Sequence, residues 1–392
     1  MCGISGVIHF NKIQASHKES VKKITQGMSH RGPDADGFHS NEDICFGHRR
    51  LSILDLSDNA NQPLLSEDGS VVLVFNGEIY NFQEIRDLLK SKYNFKTDHS
   101  DSEVIIYAYR EWGIKCVERF NGMFAIAIYD LTIKKVFLVR DRIGQKPLFY
   151  HTSDDGAIYF ASEINSFFKA NLLKKVTNPE AIYDYLTFFA TPAPATFFEN
   201  VYSLKAGHYA EIDSEKIEFK EFWNIASFLN SQTDTSFNEA SLKTEELLQQ
   251  SMIYRNIADV DISIALSGGL DSSLNAFYTS SISPSAHCIN IAYSTTSKYD
   301  ESVIAKQYSE ELGLGFTKFV VTKEILLKTI PEYLAIQSDM PMGDPNTVLV
   351  YILSKISAEQ GSKVLLVGEG GDEIGGYPKY KIANRWNNIL NK

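Results

Sequence analysis

The chain has 392 residues, a length typical of about two or three domains. Apolar residues make up 44% of it and charged residues 22%, as is usual for a globular protein with buried cores. The net charge of −11 opposes broad electrostatic binding to nucleic acid or to an anionic membrane, so we expect neither as a partner.

The sequence shows no sign of export or membrane insertion. Its apolar runs are far shorter than the ~18 residues that would span a bilayer, and no basic or long apolar segment follows Met1. Cys2, Cys45, Cys116 and Cys288 are scattered without a CxxC pair, which argues against a structural zinc site or a disulfide framework. We therefore expect a cytoplasmic protein.

Short apolar runs separated by turn residues predict many strands in the first half of the chain. Val71–Phe75 is predicted as a buried strand that ends in a tight turn at Asn76 and Gly77. Met123–Tyr129 and Lys135–Val139 flank a short connection and predict a hairpin. Helical patterns lie between these strands, at Asn81–Lys90 and Ser102–Glu111. This arrangement favours packed sheets with helices outside them.

The stretch Ala226–Ser241 is rich in Ser, Thr, Asn and Asp, and we predict it to be a linker. After it, strand and helix patterns alternate, which predicts a parallel sheet covered on both faces. The second predicted helix has Asp300 as its N-cap and an apolar face of Ile304, Tyr308 and Leu312. The predicted strands are Asp261–Leu266, Cys288–Tyr293, Thr317–Val321 and Lys363–Val367, and the first two helices are Asp271–Thr279 and Asp300–Leu312.

Cys2 directly follows Met1, so removal of Met1 would leave a thiol beside its own free α-amine. A free α-amine has a pKa near ~8 and can accept the thiol proton. One residue would then supply both nucleophile and base. On this feature alone, an ordinary terminal cysteine is the better explanation.

Four further blocks follow the start Met1–Gly6 in order, and they favour catalysis by Cys2. They are His30-Arg31-Gly32-Pro33-Asp34, Arg50-Leu51-Ser52-Ile53, Asn76-Gly77-Glu78-Ile79-Tyr80-Asn81 and Ser100-Asp101-Ser102-Glu103. Together these blocks resemble the class II, N-terminal-nucleophile glutamine amidotransferase domain. The resemblance implies an α+β fold with a four-layer αββα sandwich over residues 2–210, and hydrolysis of glutamine to glutamate and ammonia.

The same resemblance implies a role for each residue. Attack on the glutamine amide forms an oxyanion, which the Asn76 side chain and the Gly77 N–H would stabilise. Arg50 would pair in a bidentate manner with the α-carboxylate, and Asp101 with Glu78 would hold the α-ammonium. Taken singly, Arg50 also fits a surface ion pair and Asp101 a helix N-cap. The expected glutamine site comprises Arg50, Leu51, Ser52, Ile53, Leu54, Asn76, Gly77, Glu78 and Asp101.

The heptamer Ser267-Gly268-Gly269-Leu270-Asp271-Ser272-Ser273 lies between a predicted strand and a predicted helix. In that place, glycines permit a tight turn, and backbone N–H groups and the helix dipole face an anion. No Lys-Ser/Thr pair ends the loop, which excludes a Walker A motif. The heptamer resembles the pyrophosphate loop of enzymes that cleave ATP to AMP and pyrophosphate.

A second glycine-rich block, Gly368–Tyr377, carries acidic residues after the last predicted strand. Carboxylates beside a phosphate loop repel the ligand unless a metal intervenes, so we expect Mg²⁺ with Asp271 and Asp372 as its ligands. A solvated acidic turn is the alternative. Tyr299–Ser302 and Asp344–Asn346 add to a resemblance to the synthetase domain of glutamine-hydrolysing asparagine synthetases. This resemblance implies an α/β pyrophosphate-loop domain over residues 235–392.

In that family, ATP activates aspartate as β-aspartyl-AMP, and ammonia from the first domain converts it to asparagine. By resemblance, Glu369 governs formation of the adenylate and the attack by ammonia. The expected partners are glutamine, ATP and aspartate, and a homodimer is compatible with the resemblance. The expected ATP site comprises Leu266, Ser267, Gly268, Gly269, Asp271, Ser272, Ile291, Val367 and Gly368.

The second domain departs from the family pattern in three places. The acidic block Asp372–Tyr377 is one residue short and lacks a Phe, residues 313–318 lack a common histidine, and the chain stops at Lys392. We therefore expect this domain to be incomplete at its carboxyl end. A uronic acid or a similar carboxylate stays open as the acceptor, as does a regulatory subunit that only binds glutamine or ATP. The heptamer argues against amidotransferases that do not adenylate their acceptors.

Overall fold

The computed structural model describes residues 1–229, 235–293, 300–337, 339–341, 343–376, 380–382 and 385–386. The chain divides into two units, one of Met1–Thr235 with Ile336–Gly343 and the other of Ser236–Ala335 with Asp344–Lys392. The short segment Ile336–Gly343 therefore belongs to the first unit, although it lies within the sequence of the second. None of the helices in the described part of the chain combines the length and the apolar character needed to cross a membrane.

Two six-stranded antiparallel sheets form the centre of the first unit. The first sheet has the order β10-β8-β9-β1-β3-β2, with β1 (Gly3–Ile8), β2 (Ala35–Ser40), β3 (Ile44–Arg50), β8 (Phe149–Thr152), β9 (Ile158–Ala161) and β10 (Tyr202–Ser203). The second has the order β12-β11-β7-β6-β5-β4, with β4 (Leu64–Leu65), β5 (Val71–Ile79), β6 (Gly122–Asp130), β7 (Lys135–Arg140), β11 (His208–Ile212) and β12 (Ile217–Glu221).

The two sheets pack face to face between layers of helices. Ile4 and Ile8 of β1 share a buried cluster with Val72 of β5, whereas Val7 packs in another cluster with Ile24 of α1. This alternation follows from the two-residue period of a strand. The αββα sandwich expected from the resemblance is therefore present. The helices of this unit are α1 (Ala15–Gly27), α2 (Phe82–Leu89), α3 (Asp101–Trp112), α4 (Ile164–Lys169) and α5 (Pro179–Phe188).

The predicted hairpin is confirmed as β6 and β7, but the predicted turn at Asn76 and Gly77 is wrong. β5 continues through both residues to Ile79, paired with β6 along its whole length. A Cβ atom at Gly77 would lie 2.0 Å from the carbonyl oxygen of Met123 on β6. The glycine is therefore required by the close approach of two strands, and not by a turn.

The second unit contains a parallel sheet of order β15-β14-β13-β16. Its strands are β13 (Ile262–Ala265), β14 (His287–Tyr293), β15 (Gly315–Val321) and β16 (Val364–Leu366). The order reverses beside β13, and ligands of open α/β sheets bind at the carboxyl ends of strands at such a reversal. The helices are α6 (Phe237–Arg255), α7 (Leu270–Ile282), α8 (Ser302–Glu311), α9 (Lys323–Ile336), α10 (Asn346–Glu359) and α11 (Gly371–Gly375).

The linker predicted at Ala226–Ser241 ends earlier than expected, because α6 begins at Phe237. Ser236 caps this helix by accepting the N–H of Glu239 at 3.3 Å, and the Glu239 carboxylate accepts the N–H of Ser236 at 3.0 Å. This reciprocal capping box has a Ser-x-x-Glu signature in the sequence. The polar composition of the segment concealed that signal.

The prediction for α8 was wrong in its start and in placing Ile304 on its buried face. The helix begins at Ser302, whose N–H donates to the Asp300 carboxylate at 3.0 Å, so Asp300 lies one residue before the N-cap. Ile304 is 58% exposed, whereas Ala305 and Ser309 are buried. Ala305 belongs to the core cluster of this unit, and Tyr308 and Leu312 of the predicted apolar face pack against that cluster, whereas Ile304 does not.

Candidate active sites

Cys2 lies at the entrance to β1, directly beside the end of β3. The Leu51 N–H donates to Cys2 Sγ at 3.4 Å, and the thiol donates to the Leu51 carbonyl oxygen at 3.7 Å. Burial raises the pKa of the Cys2 thiol. Burial also lowers the pKa of the Met1 α-amino group to about 6. The thiol therefore needs a base, and an α-amine in this environment is mostly neutral at about pH 7.

A cleft of about 360 Å³, the part open to solvent included, lies beside Cys2. Most of the predicted glutamine-binding residues line it, namely Arg50, Leu51, Ile53, Leu54, Gly77, Glu78 and Asp101. Ser52 and Asn76 do not. The backbone N–H of Ser52 instead donates to the Asp34 carboxylate at 2.7 Å.

Two carboxyl groups meet in the cleft, the buried Asp101 and the half-buried Glu78. Burial raises the pKa of Asp101 to about 6, although the Ile79 N–H donates to it at 3.0 Å. Burial, together with the negative charge of Asp101, raises the pKa of Glu78 well above its usual range. Lys146 lies close enough to Glu78 to oppose this rise. Like charges in a buried site repel, and a bound cation would relieve that repulsion.

Arg50 is buried, at 6% exposed, and it anchors the loop that follows β3. Nη1 donates to the Ser57 carbonyl at 2.8 Å and to Asn61 Oδ1 at 2.7 Å. Nη2 donates to the carbonyl groups of Asp55 and Leu54. The surface ion pair weighed as an alternative is therefore wrong. The expected bidentate pairing of Arg50 with the α-carboxylate of glutamine also lacks free donors at Nη1 and Nη2. Of the Arg50 donors, Nε is then the one that a ligand carboxylate could bind.

Asn76 is 1% exposed, and its Nδ2 has no hydrogen-bond acceptor within the described ranges. A buried amide donor without a partner is costly, and such groups are rare. An oxyanion hole requires donors that are in place before the negative charge develops. The position of Asn76 directly before Gly77 of the cleft suits that role.

Several residues of this site had no assigned role in the sequence. Gln62 lines the cleft, accepts the Phe75 N–H at 2.6 Å and donates to Ser102 Oγ at 3.4 Å. Arg31 donates from Nε to the Cys2 carbonyl oxygen at 2.9 Å. Arg31 lies in the block His30–Asp34 that contributed to the resemblance. Nothing in the local sequence indicated Gln62 or Lys146, because their partners are distant in sequence.

In the second unit, the predicted pyrophosphate loop connects β13 to α7. Gly268 has a φ of +92°, a conformation that favours glycine. Ser267 Oγ and Ser272 Oγ lie 2.9 Å apart, and the Gly269 N–H donates to Ser267 Oγ at 3.2 Å. Gly269 is also the N-cap of α7. The loop is therefore a tight turn that opens a helix, as an anion-binding loop requires.

The acidic block lies against this loop because β13 and β16 are neighbours in the sheet. A Cβ atom at Gly371 would lie 2.6 Å from Asp271 Cγ, and one at Gly368 would lie 3.1 Å from Asp271 Cβ. Asp372 follows Gly371 directly and is exposed, as is Glu369. Asp271 therefore packs against the segment that carries the other predicted metal ligand.

A pocket of about 680 Å³, open solvent included, lies at the carboxyl ends of β13 and β14. Of the predicted ATP-binding residues, Leu266, Ser267 and Ile291 line it. Gly268, Gly269, Asp271, Ser272, Val367 and Gly368 are not part of its lining. The residues that were not predicted are Ala265, Ile289, Asn290, Tyr293, Glu301, Leu349 and Leu353. Glu301 belongs to the motif Tyr299–Ser302 of the sequence analysis. Tyr299 of that motif and Tyr377 of the acidic block lie outside the described residues.

Family models match both halves of the chain. Residues 1–223 match the model described as glutamine amidotransferase domain, and residues 243–391 match the model described as asparagine synthase. Asparagine synthetase [glutamine-hydrolyzing] 1 of Bacillus subtilis is 33% identical, over 97% of this chain and 60% of that protein. A Methanocaldococcus jannaschii protein named as an asparagine synthetase is 31% identical, over 96% of this chain and 76% of that protein. The chain belongs to the glutamine-hydrolysing asparagine synthetase family.

Asparagine synthetase [glutamine-hydrolyzing] 2 of Bacillus subtilis is 35% identical, over 96% of this chain and 52% of that protein. The chain thus spans 60% of the length of the first of these two Bacillus subtilis proteins and 52% of the second. A solved structure of glutamine phosphoribosylpyrophosphate amidotransferase from B. subtilis, complexed with ADP and GMP, superposes with a TM-score of 0.44 at 13% identity, over 93% of this chain and 90% of that chain.

Proposed function

We propose that the chain is a glutamine-dependent asparagine synthetase. It hydrolyses glutamine to glutamate and ammonia, activates aspartate with ATP, and forms asparagine, AMP and pyrophosphate. The observation that carries the proposal is a half-buried thiol beside a cleft with two carboxyl groups, on a chain that also has a serine-glycine loop opening α7. We assign glutamine hydrolysis to residues 2–210 and synthesis to residues 235–392.

In the first domain, removal of Met1 frees the α-amine of Cys2, which takes the thiol proton. The surroundings that lower the pKa of the Met1 amine support a neutral amine at this place. The thiolate attacks the side-chain amide carbon of glutamine, and Asn76 Nδ2 with the Gly77 N–H stabilises the oxyanion. Ammonia leaves, and water hydrolyses the thioester to glutamate.

Glutamine is held at its other end by charge. Its α-ammonium binds Glu78 and Asp101, whose pKa values are raised first by burial, and its positive charge would favour their ionised forms. Its α-carboxylate approaches Arg50 from the Nε side, because the Nη donors hold the loop after β3.

In the second domain, the apolar walls of Leu266 and Ile291 suit the adenine of ATP, and the loop at Ser267 suits its phosphates. The aspartate side-chain carboxylate attacks the α-phosphorus, pyrophosphate leaves, and ammonia then displaces AMP. Glu369 stays the predicted residue that governs these steps.

Mg²⁺ fits the donors of this domain. Asp271 and the neighbouring Asp372 supply only oxygen, the element that Mg²⁺ prefers, and phosphate oxygens would complete its coordination. Within the described ranges, the structure contains no group of three or more His, Cys, Asp or Glu side chains that could hold a metal ion. The metal would neutralise charge between phosphates and carboxylates. The homodimer and the cytoplasmic location stay predictions.

The test measures AMP and pyrophosphate formed from ATP, Mg²⁺ and ammonium chloride, with and without aspartate. Ammonium bypasses the first domain, and glutamate release from glutamine is followed in a parallel reaction. AMP that depends on aspartate is the expected result. Glutamate release without any AMP would contradict the assignment of the second domain, and AMP with a sugar acid instead of aspartate would change the acceptor.

A further inference from the structure

The segment Ile336–Gly343 connects α9 to α10 in sequence, yet it belongs to the first unit. Tyr185 of α5 donates from its hydroxyl to the Pro341 carbonyl at 3.0 Å. The Ile164 N–H donates to Asp339 Oδ1 at 2.9 Å. A Cβ atom at Gly343 would lie 2.2 Å from Tyr185 Oη. The segment is therefore held against α4 and α5 by specific contacts.

Asp339 does for α4 what the N-cap residue itself does not do. Glu163 is the N-cap of α4, but its side chain makes no capping hydrogen bond. Its Oε1 instead accepts from Arg31 Nη1 at 3.0 Å and lies 2.9 Å from His30 Nε2. Because Asp339 accepts the first N–H of the helix, Glu163 is left to pair with Arg31.

Arg31 connects this pair to the nucleophile. Its Nε donates to the carbonyl oxygen of Cys2 at 2.9 Å, and its Nη1 donates to Glu163. These two hydrogen bonds fix the orientation of the guanidinium group. The ladder of β1 begins at Gly3, one residue after Cys2. The Arg31 bond therefore fixes the main chain just ahead of the strand, where the direction of the Cys2 side chain is set.

We propose that Asp339 is a positioning residue for the nucleophile Cys2. It holds the start of α4, which places Glu163; Glu163 orients Arg31, and Arg31 fixes the main chain at Cys2. This inference rests on the proposed glutaminase activity. Glu163, Arg31 and His30 are the charged or titratable groups of this cluster. Burial is the main cause that raises the pKa of Asp339 to about 6, and the negative charge of Glu163 adds to it. Asp339 is therefore ionised at pH 8.

The test is steady-state glutamine hydrolysis by the full chain at pH 8, with thermal unfolding of each variant. Asp339→Ala should lower kcat about tenfold and change KM less than about twofold, because the nucleophile is misplaced while the cleft is kept. Asp339→Asn should retain most of the activity, because its Oδ1 can accept the same N–H. Met340→Ala is the matched control, since Met340 lies next to Asp339 and is 41% exposed.

A double-mutant cycle with Arg31→Lys separates positioning from a general loss of stability. If Asp339 acts through Arg31, adding Asp339→Ala to Arg31→Lys should lower kcat less than about twofold further. Independent, multiplying losses would overturn the proposal, as would a wild-type kcat in Asp339→Ala or an equal loss in Asp339→Asn. No glutamate from the wild-type chain would instead refute the proposed glutaminase function itself.

Tyr185→Phe keeps the test decisive if Asp339→Ala does not fold. This change removes the hydroxyl that holds the Pro341 carbonyl and leaves Asp339 in place. We expect kcat to fall about two- to threefold with KM unchanged, since one neutral hydrogen bond is lost. An unchanged kcat in this variant would overturn the proposal.

Discussion

The two candidate sites differ in how much of their electrostatics the protein itself supplies. Beside Cys2, Asp101 is buried and lies close to the half-buried Glu78, and Asn76 is a buried donor whose Nδ2 has no acceptor among the described residues. In the second unit, Glu369 and Asp372 are exposed around an open loop. The first site stores unfavourable interactions that a substrate would relieve, whereas the second relies on groups that arrive with the ligand.

From this difference we expect substitutions in the two sites to change different properties of the protein. Buried, unpartnered groups cost stability and are retained for function, so their removal should change catalysis and stability in opposite directions. Exposed carboxylates cost little until phosphates arrive, so their removal should change ligand binding and hardly change stability.

The largest effect should follow from Cys2→Ala, which removes the proposed nucleophile. We expect glutamate release to fall about a thousandfold or more, while AMP formation from ammonium and aspartate persists. Both activities are measured on the same preparation. Cys45→Ala is the control, because Cys45 is a buried thiol of β3 outside the cleft. Loss of both activities in Cys2→Ala would contradict separate sites.

Asn76→Ala tests the unpartnered donor. Removal of one oxyanion-hole donor should lower kcat for glutamine about 10²–10³-fold with a much smaller change in KM. The variant should also be at least as stable as the wild type in denaturant unfolding, because a costly buried donor is removed. A rise in KM with an unchanged kcat would show that Asn76 binds glutamine and does not stabilise an oxyanion.

Candidate site residues that lie within a recognisable sequence block could be predicted from the sequence. Cys2, Glu78 and Asp101 lie in blocks whose order alone indicated a glutaminase, and the cleft brings them together. Alternating strand and helix patterns likewise predicted the parallel sheet. These features depend on local spacing, which a single sequence displays.

Partners that meet only through tertiary packing could not be predicted. Gln62, Lys146 and Asp339 approach the first site from distant parts of the chain and carry no local signal. Gly77 shows the converse error, because an Asn-Gly pair indicates a turn, whereas the neighbouring strand β6 decides its conformation. Ile304 of α8 was misplaced on the buried face, where Ala305 and Ser309 lie beside the partly buried Tyr308 and Leu312.

Asp271→Ala tests the second site, where the effect should depend on ligand. AMP formation should fall about a hundredfold, since the proposed carboxylate ligand of Mg²⁺ is lost, while glutamine hydrolysis without ATP stays unchanged. Asp261→Ala is the matched control, because Asp261 precedes β13 at the opposite end of the same strand. Wild-type AMP formation in Asp271→Ala would remove Asp271 from the metal site.

The smallest effect concerns stability and sharpens the contrast most directly. The pKa of Asp101 rises on folding from an ordinary value of 3.8 to about 6, so the folded state binds more protons than the unfolded state between these values. Stability should therefore fall as pH rises through this window, and the loss should persist at pH 7. Asp101→Asn keeps an acceptor for the Ile79 N–H and removes the charge.

At pH 7, we expect the free energy of unfolding of Asp101→Asn to exceed that of the wild type by about 1–3 kcal/mol, although glutamine hydrolysis falls. At about pH 4 the two proteins should be equally stable, since Asp101 is then protonated in the folded wild type. Urea unfolding at both pH values measures the difference, with Asp154→Asn in an exposed turn as the control. A variant less stable than the wild type at pH 7 would show that hydrogen bonds to the Asp101 carboxylate outweigh the cost of burying its charge. The first site would then hold no more unfavourable interactions than the second.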